Sequence, residues 1–161
     1  MTASDPPRPT IMHPGEGKRM AGAGSSVLLG GAETGGQLAV LLLNVPPGGG
    51  PPLHVHERED ELFLVMEGTI SFFIDGRWTD VGPGGAVYLP KGTPHRFRNA
   101  GTTPARQWAL TTPSGFEHFL PRFNEEMARP GGPDWARIVA LHAEFGMTLL
   151  DEGPRQAGGD A

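Results

Sequence analysis

Apolar and polar positions alternate with a period of two through the middle of this chain, and that pattern predicts short β-strands joined by tight turns. Leu62-Phe63-Leu64-Val65-Met66 is an apolar strand closed by Gly68, and Ile70 to Ile74 is separated from Arg77-Trp78-Thr79 by Asp75-Gly76, a strong hairpin signal. Ala86 to Leu89 forms a further strand, followed by a bend at Pro90 and Gly92. The run Leu38 to Leu43, closed by Pro46-Pro47, is too short for an isolated helix and reads as a buried strand. Trp108-Ala109-Leu110 continues the barrel after a turn at Gly101 to Pro104, and Ile11-Met12-His13 and Ser26 to Leu29 read as edge strands.

Beyond Pro113 the period becomes helical. Ser114 and Glu117 read as a capping box ahead of Phe116, Leu120, Phe123 and Met127. A second helix is expected from Asp134, with Trp135, Ile138, Leu141 and Phe145 on one face and Gly146 as its stop. Aromatic residues at this spacing read as core packing, with the helices covering the barrel's outer face or one mouth. The expected organisation is a disordered arm over 1–10, with Gly22-Ala23-Gly24 as a flexible spacer farther on. An all-β barrel over 11–112, a helical segment over 113–150 packed on it, and a loose tail over 151–161 complete it.

Composition supports this picture and narrows the chemistry. With 25 glycines and 17 prolines in 161 residues, strands must be short and turns frequent, as in a barrel or sandwich. A net charge of −5 without a basic cluster argues against nucleic acid or an anionic membrane as partner. No segment approaches eighteen apolar residues, and Met1 to Pro7 lacks the apolar core of a signal peptide, so a soluble, cytoplasmic protein is expected. The absence of cysteine excludes disulfides, thiolate metal sites and cysteine nucleophiles.

Candidate chemistry is concentrated in two short segments. His54 and His56 lie two apart on an extended strand and so share a face. Glu61 follows across a short charged turn, where an antiparallel neighbour could bring its carboxylate beside both imidazoles. A buried cluster of this kind is costly unless a cation or hydrogen bonds satisfy it. His13, His118 and His142, each isolated, read instead as packed or surface residues with no part in the site.

The segments Gly48 to Gly68 and Gly84 to Asn99 match the two signature motifs of the cupin superfamily, G-x5-H-x-H-x4-E-x6-G and G-x5-P-x-G-x2-H-x3-N, at every marked position. The resemblance implies a jelly-roll (double-stranded β-helix) barrel and a divalent transition metal (Fe, Mn, Ni, Co, Cu or Zn) held by His54, His56, Glu61 and His95. Strand parity then places Phe63 and Val65 inside with Glu61, and Phe97 and Asn99 inside with His95, as a substrate pocket. Glu59 to Phe63, Pro90 to Asn99 and Thr112 to Glu117 are similar to single-domain cupins resembling quercetin 2,3-dioxygenase. That likeness implies a small enol or phenol substrate bound as an anion, Glu61 as ligand and catalytic base, and dioxygen as co-substrate. Similar cupins are cyclases, isomerases or dehydratases of polyketide-like intermediates, and others only bind small molecules, so both alternatives stay open. Such relatives usually carry Gly-Asp where this chain has Gly84-Gly85, which bears on the turn rather than on a ligand. Leu62, Leu64 and Met66 face away from the metal in this register and point to a homodimer.

Overall fold

The computed structural model describes residues 7–20 and 24–150. The expected tail, most of the arm and part of the glycine spacer lie outside them. Two antiparallel sheets face each other. The first contains β1 (Lys18–Arg19), β2 (Ser26–Leu29), β3 (Ala39–Val45), β5 (Asp60–Glu67), β8 (Ala86–Leu89) and β10 (Ala105–Thr112), in the order β1-β2-β3-β10-β5-β8. The second contains β4 (His54–His56), β6 (Ile70–Ile74), β7 (Arg77–Val81), β9 (His95–Asn99) and β11 (Met147–Leu149), in the order β11-β4-β9-β6-β7. Helices α1 (Gly31–Thr34), α2 (Phe119–Met127) and α3 (Trp135–Glu144) complete the chain, with a 3-10 turn at Phe116–His118 leading into α2.

Strand parity builds the core. Ala39 and Leu41 of β3, Phe63 and Val65 of β5, Ile70 and Phe72 of β6, Phe97 of β9, and Ala105 and Ala109 of β10 are all buried between the sheets. Phe63 packs against Phe72 and Phe97 with ring centroids 5.5 and 5.4 Å apart, a spacing at which edge-to-face contacts add to area burial. The hairpin expected at Asp75-Gly76 forms, with Ile74 opposite Arg77 and positive φ at both turn residues.

Several expectations are corrected. Ile11 to His13 is not a strand; Ile11 is exposed, and the edge strand lies at Lys18–Arg19, opposite Ser26 and Val27. The Leu38 to Leu43 run is buried on one face only, because β3 turns Val40 and Leu42 toward the outer side of its sheet, where they are half-exposed. Ser114 and Glu117 form no capping box: the Glu117 carboxylate accepts from the backbone N–H groups of Gly115 and Gly31, joining the start of the helical segment to α1. Asp134 does cap α3, accepting from Ala136 N and Arg137 N. The segment after Pro113 is not wholly helical, since β11 follows Gly146 and pairs with β4.

Glycines at the motif positions carry backbone work. Gly48 N donates to Asn99 O and Asn99 N donates to Gly49 O, so the first motif's loop is laced to the end of β9. Gly92 N donates to His56 O at 2.7 Å, tying the second motif's bend to the strand that bears the first two histidines. At Gly84-Gly85 the turn is well bonded through Val65, and a Cβ on Gly85 would collide with Val81, so glycine suits this turn. Gly50, at φ 155°, faces the backbone carbonyl of Phe97 so closely that a methyl group has no room. Gly50→Ala is therefore expected to cost at least about 2 kcal/mol, from backbone strain and overpacking together. Urea denaturation measures it, and an unchanged midpoint would show that β9 yields freely.

Candidate metal centre

Three strands deliver four side chains to one point. On β4, His54 and His56 are both buried on the inner face, while Val55 between them points the other way. His95 opens β9 directly opposite His54. Glu61 comes from β5, which pairs with β10 and β8 in the facing sheet. The carboxylate thus does not arrive from an antiparallel neighbour of β4, as the short charged turn suggested. Residues 57–59 instead carry the chain across from one sheet to the other, and Glu61 reaches the imidazoles through the barrel interior.

The ligand atoms all lie within 4.8 Å of one another. His54 Nε2 is 3.1 Å from His56 Nε2, His95 Nε2 is 2.9 Å from Glu61 Oε2, and His56 Nε2 is 3.5 Å from the same oxygen. Each Nδ1 faces an acceptor: Pro52 O for His54 at 2.8 Å, Glu59 Oε2 for His56 at 3.3 Å, and Thr93 O for His95 at 2.9 Å. Because these oxygens can only accept, each Nδ1 carries the proton and each neutral ring turns a bare Nε2 lone pair inward. Three nitrogen lone pairs and a carboxylate oxygen therefore converge with no donor among them. The 2.9 Å approach of His95 to Glu61 is short but not aligned as a hydrogen bond, and neither atom has a hydrogen-bond partner among the described residues.

For His54, electrostatics agree with a neutral ring. Burial, with the charges of His95 and His56 added to it, pushes the His54 imidazole down to about 3. Burial also works against charge on His95, but the Glu61 carboxylate beside it prevails and shifts that ring upward. For Glu61, burial favours the neutral acid, and the surrounding imidazoles outweigh it and hold the carboxyl below its usual value.

A divalent cation fits these four groups. Ligands at right angles around an ion bonded at about 2.1 Å stand about 3.0 Å apart, close to the separations seen here. Three imidazole nitrogens and one carboxylate oxygen suit Fe, Mn, Ni, Co, Cu or Zn. Among the described residues Glu61 Oε2 and His95 Nε2 have no hydrogen-bond partner, a deficit that a bound cation would make good.

One contributor was hidden in the acidic run at 57–61. Glu59 is buried, and its carboxylate receives His56 Nδ1, fixing that ring's tautomer and aim. Only the path of the crossing turn shows which of Glu57, Glu59, Asp60 and Glu61 folds back onto a histidine. Glu59→Gln should lower metal affinity about 10- to 100-fold with little change in thermal stability. Competition against a chromophoric chelator reads this, and unchanged affinity would show that His56 needs no carboxylate to orient it.

Three of the four, His54, Glu61 and His95, line a cavity of about 470 Å³. Phe63 and Phe97 line it, as expected of the pocket; Val65 and Asn99 are buried but do not. Asn99 instead holds a turn, donating to Val45 O and Thr103 O and accepting from Gly101 N. A further part of the wall comes from the helical segment through Phe116, Phe119, Leu120 and Phe123, with Met147 of β11, and Phe116 lies edge-on to His56 at a centroid distance of 5.0 Å. The helical segment thus packs against the barrel and furnishes much of the cavity's apolar lining. His142 lies in this wall outside the ligand cluster, His118 is exposed beside Glu117, and His13 is exposed on the N-terminal stretch.

Residues 41–110 match the family model described as the cupin domain. The barrel has the cupin fold. Over 92 residues the chain is 33% identical to quercetin 2,3-dioxygenase of Bacillus subtilis (strain 168), covering 56% of this chain and 27% of that protein. It is 32% identical over 62 residues to an uncharacterized protein of Methanocaldococcus jannaschii, covering 38% of this chain and 50% of that one. The chain therefore spans about a quarter and a half of these two relatives. Among solved cupin-like structures, KdgF from a Halomonas species superposes with a TM-score of 0.59 at 18% identity, covering 68% of this chain and 99% of that one. A predicted oxalate decarboxylase from Thermotoga maritima superposes at 0.53 with 24% identity, covering 65% and 99%. At these identities the likeness concerns the fold. No helix among the described residues is long and apolar enough to cross a membrane.

Proposed function

We propose that this protein is a metal-dependent oxygenase of a small enol or phenol, flavonol-like in character. The observation that carries the proposal is a set of four converging, buried ligand groups, three of which line a largely apolar cavity. The partial likeness to quercetin 2,3-dioxygenase supports the substrate class. A divalent ion bound there supplies Lewis acidity, lowering the pKa of a substrate hydroxyl. The chain's own residues do the rest. The imidazoles of His54, His56 and His95 are fixed by their Nδ1 hydrogen bonds and need no reorganisation. Phe63, Phe97 and Phe116 flank the space where a flat ring would lie and exclude water from it. Glu61 accepts the hydroxyl proton at a carboxylate oxygen.

Metal analysis of protein purified without supplement, followed by oxygen-uptake assays on a flavonol and related enols, tests this. One ion per chain and oxygen consumption are expected. Turnover without uptake would replace the oxygenase by an isomerase or cyclase, and binding without turnover by a small-molecule carrier.

A second copy of the chain is also proposed as a partner. Leu62, Leu64 and Met66 of β5 lie on the outer face of the first sheet with Trp108 and Leu110 of β10, and Leu64 and Tyr88 are exposed there. Light scattering at micromolar concentration should give a dimer mass, and Leu64→Lys should shift it toward the monomer. A monomeric wild type would remove this proposal and leave the barrel unaffected.

A further inference from the structure

His142 was expected to be an isolated packed residue, and it is packed, but against a functional space. It lies in the last turn of α3, buried, with its ring edge-on to Phe119 and Phe123 at centroid distances of 4.7 and 5.6 Å. Its Nδ1 is 2.7 Å from the carbonyl oxygen of Ile138, one turn back in the same helix. A carbonyl only accepts, so Nδ1 holds the proton. Burial lowers the pKa of this imidazole, which keeps the ring neutral and makes Nε2 a bare acceptor. No described residue donates to Nε2.

The ring lines the same cavity as His54, Glu61 and His95 but enters from the helical wall. Apart from those ligands, His142 is the one titratable side chain among the cavity's described lining residues. A phenylalanine or leucine would fill this place between Phe119 and Phe123 but offer the cavity no acceptor. An acceptor on a cavity wall with no protein donor can take its hydrogen bond from a ligand, and a ligand that displaces its water without supplying a donor binds less well.

We propose that His142 is a ligand-contacting residue whose Nε2 accepts a hydrogen bond from a second hydroxyl on a flat, mostly apolar ligand, while the ligand's acidic oxygen meets the cluster of His54, His56, Glu61 and His95. This rests on the enol or phenol reading above and sharpens it. The favoured ligand is a polyhydroxylated aromatic rather than one with a single acidic hydroxyl. The aromatic edges of Phe119 and Phe123 hold the imidazole in one orientation, so the preference is built in before binding.

The test uses the full chain loaded with cobalt(II), as wild type, His142→Phe and His142→Gln. Two probes are titrated by calorimetry: 3-hydroxyflavone, with the one hydroxyl, and quercetin, which adds hydroxyls on the other rings. The quercetin-to-3-hydroxyflavone affinity ratio should fall about five- to tenfold in His142→Phe, the worth of one neutral hydrogen bond, and recover in part in His142→Gln. Thermal melts and the cobalt absorption bands should be alike in all three proteins, separating loss of a contact from loss of fold or metal. A ratio unchanged within about twofold in a folded His142→Phe protein overturns the proposal, as does failure of the wild type to bind either probe. Should no cobalt bind, the metal reading falls, while the ratio measured on the same proteins still decides the role of His142.

Discussion

Metal-loaded Glu61→Gln protein is expected to bind an enol substrate and to turn it over at least about a hundredfold more slowly than the wild type, the usual worth of a positioned base. The substitution preserves size and one oxygen donor but removes the negative charge and the capacity to take a proton. It also introduces an amide N–H2 into a ring of inward-facing lone pairs, so the side chain should settle with its carbonyl oxygen toward the imidazoles. Metal affinity falls moderately for lack of charge, which is why turnover must be compared at full metal occupancy. Stopped-flow assays on protein reloaded to one ion per chain supply that comparison. Equal rates at full occupancy would make Glu61 a ligand alone and shift weight to chemistry that needs no base.

His56→Ala should behave differently, losing metal and activity together. At equal metal exposure, occupancy is expected to fall below about a tenth of an ion per chain, because one of four ligands is gone and Glu59 is left buried beside an empty space. Elemental analysis after gel filtration gives the occupancy, and circular dichroism confirms that the barrel survives. Full occupancy in a folded His56→Ala protein would remove His56 from the ligand set. Taken together, the two variants separate holding the ion from using it.

The ligand cluster was legible in the sequence because its information is local. A histidine two places from another declares its face, and turn glycines such as Gly48, Gly68 and Gly92 mark where strands stop; all three have positive φ here. Parity likewise placed Phe63 and Phe97 correctly from Glu61 and His95. What failed was long-range. The charged turn at 57–59 could make a hairpin or a sheet-to-sheet crossing, and nothing in its residues chooses between them; the pairing of β5 with β10 does. Glu59, the Gly31 to Glu117 link and the helical wall of the cavity all depend on contacts between distant segments. Asn99 shows a subtler limit, since parity says that a side chain points inward but not whether it meets a cavity or a backbone carbonyl.

The pairing of β11 with β4 sets the order in which the metal centre can be assembled. The β6–β7 hairpin closes over a two-residue turn, and β4 meets β9 through one registered pair, His54 with His95. The other flank of β4 waits for Met147–Leu149, which lie opposite His56, Val55 and His54 and are separated from them by some 90 residues of chain. Closing so long a loop is slow and entropically costly, so the strand bearing two of the four ligands gains its second neighbour late in folding. On a ribosome, the ligands would all have emerged long before the strand that steadies them. A chain shortened to end before Met147 would keep every ligand and still lose one side of their support, so that loose metal binding by such a fragment would reflect a missing neighbour rather than a missing ligand.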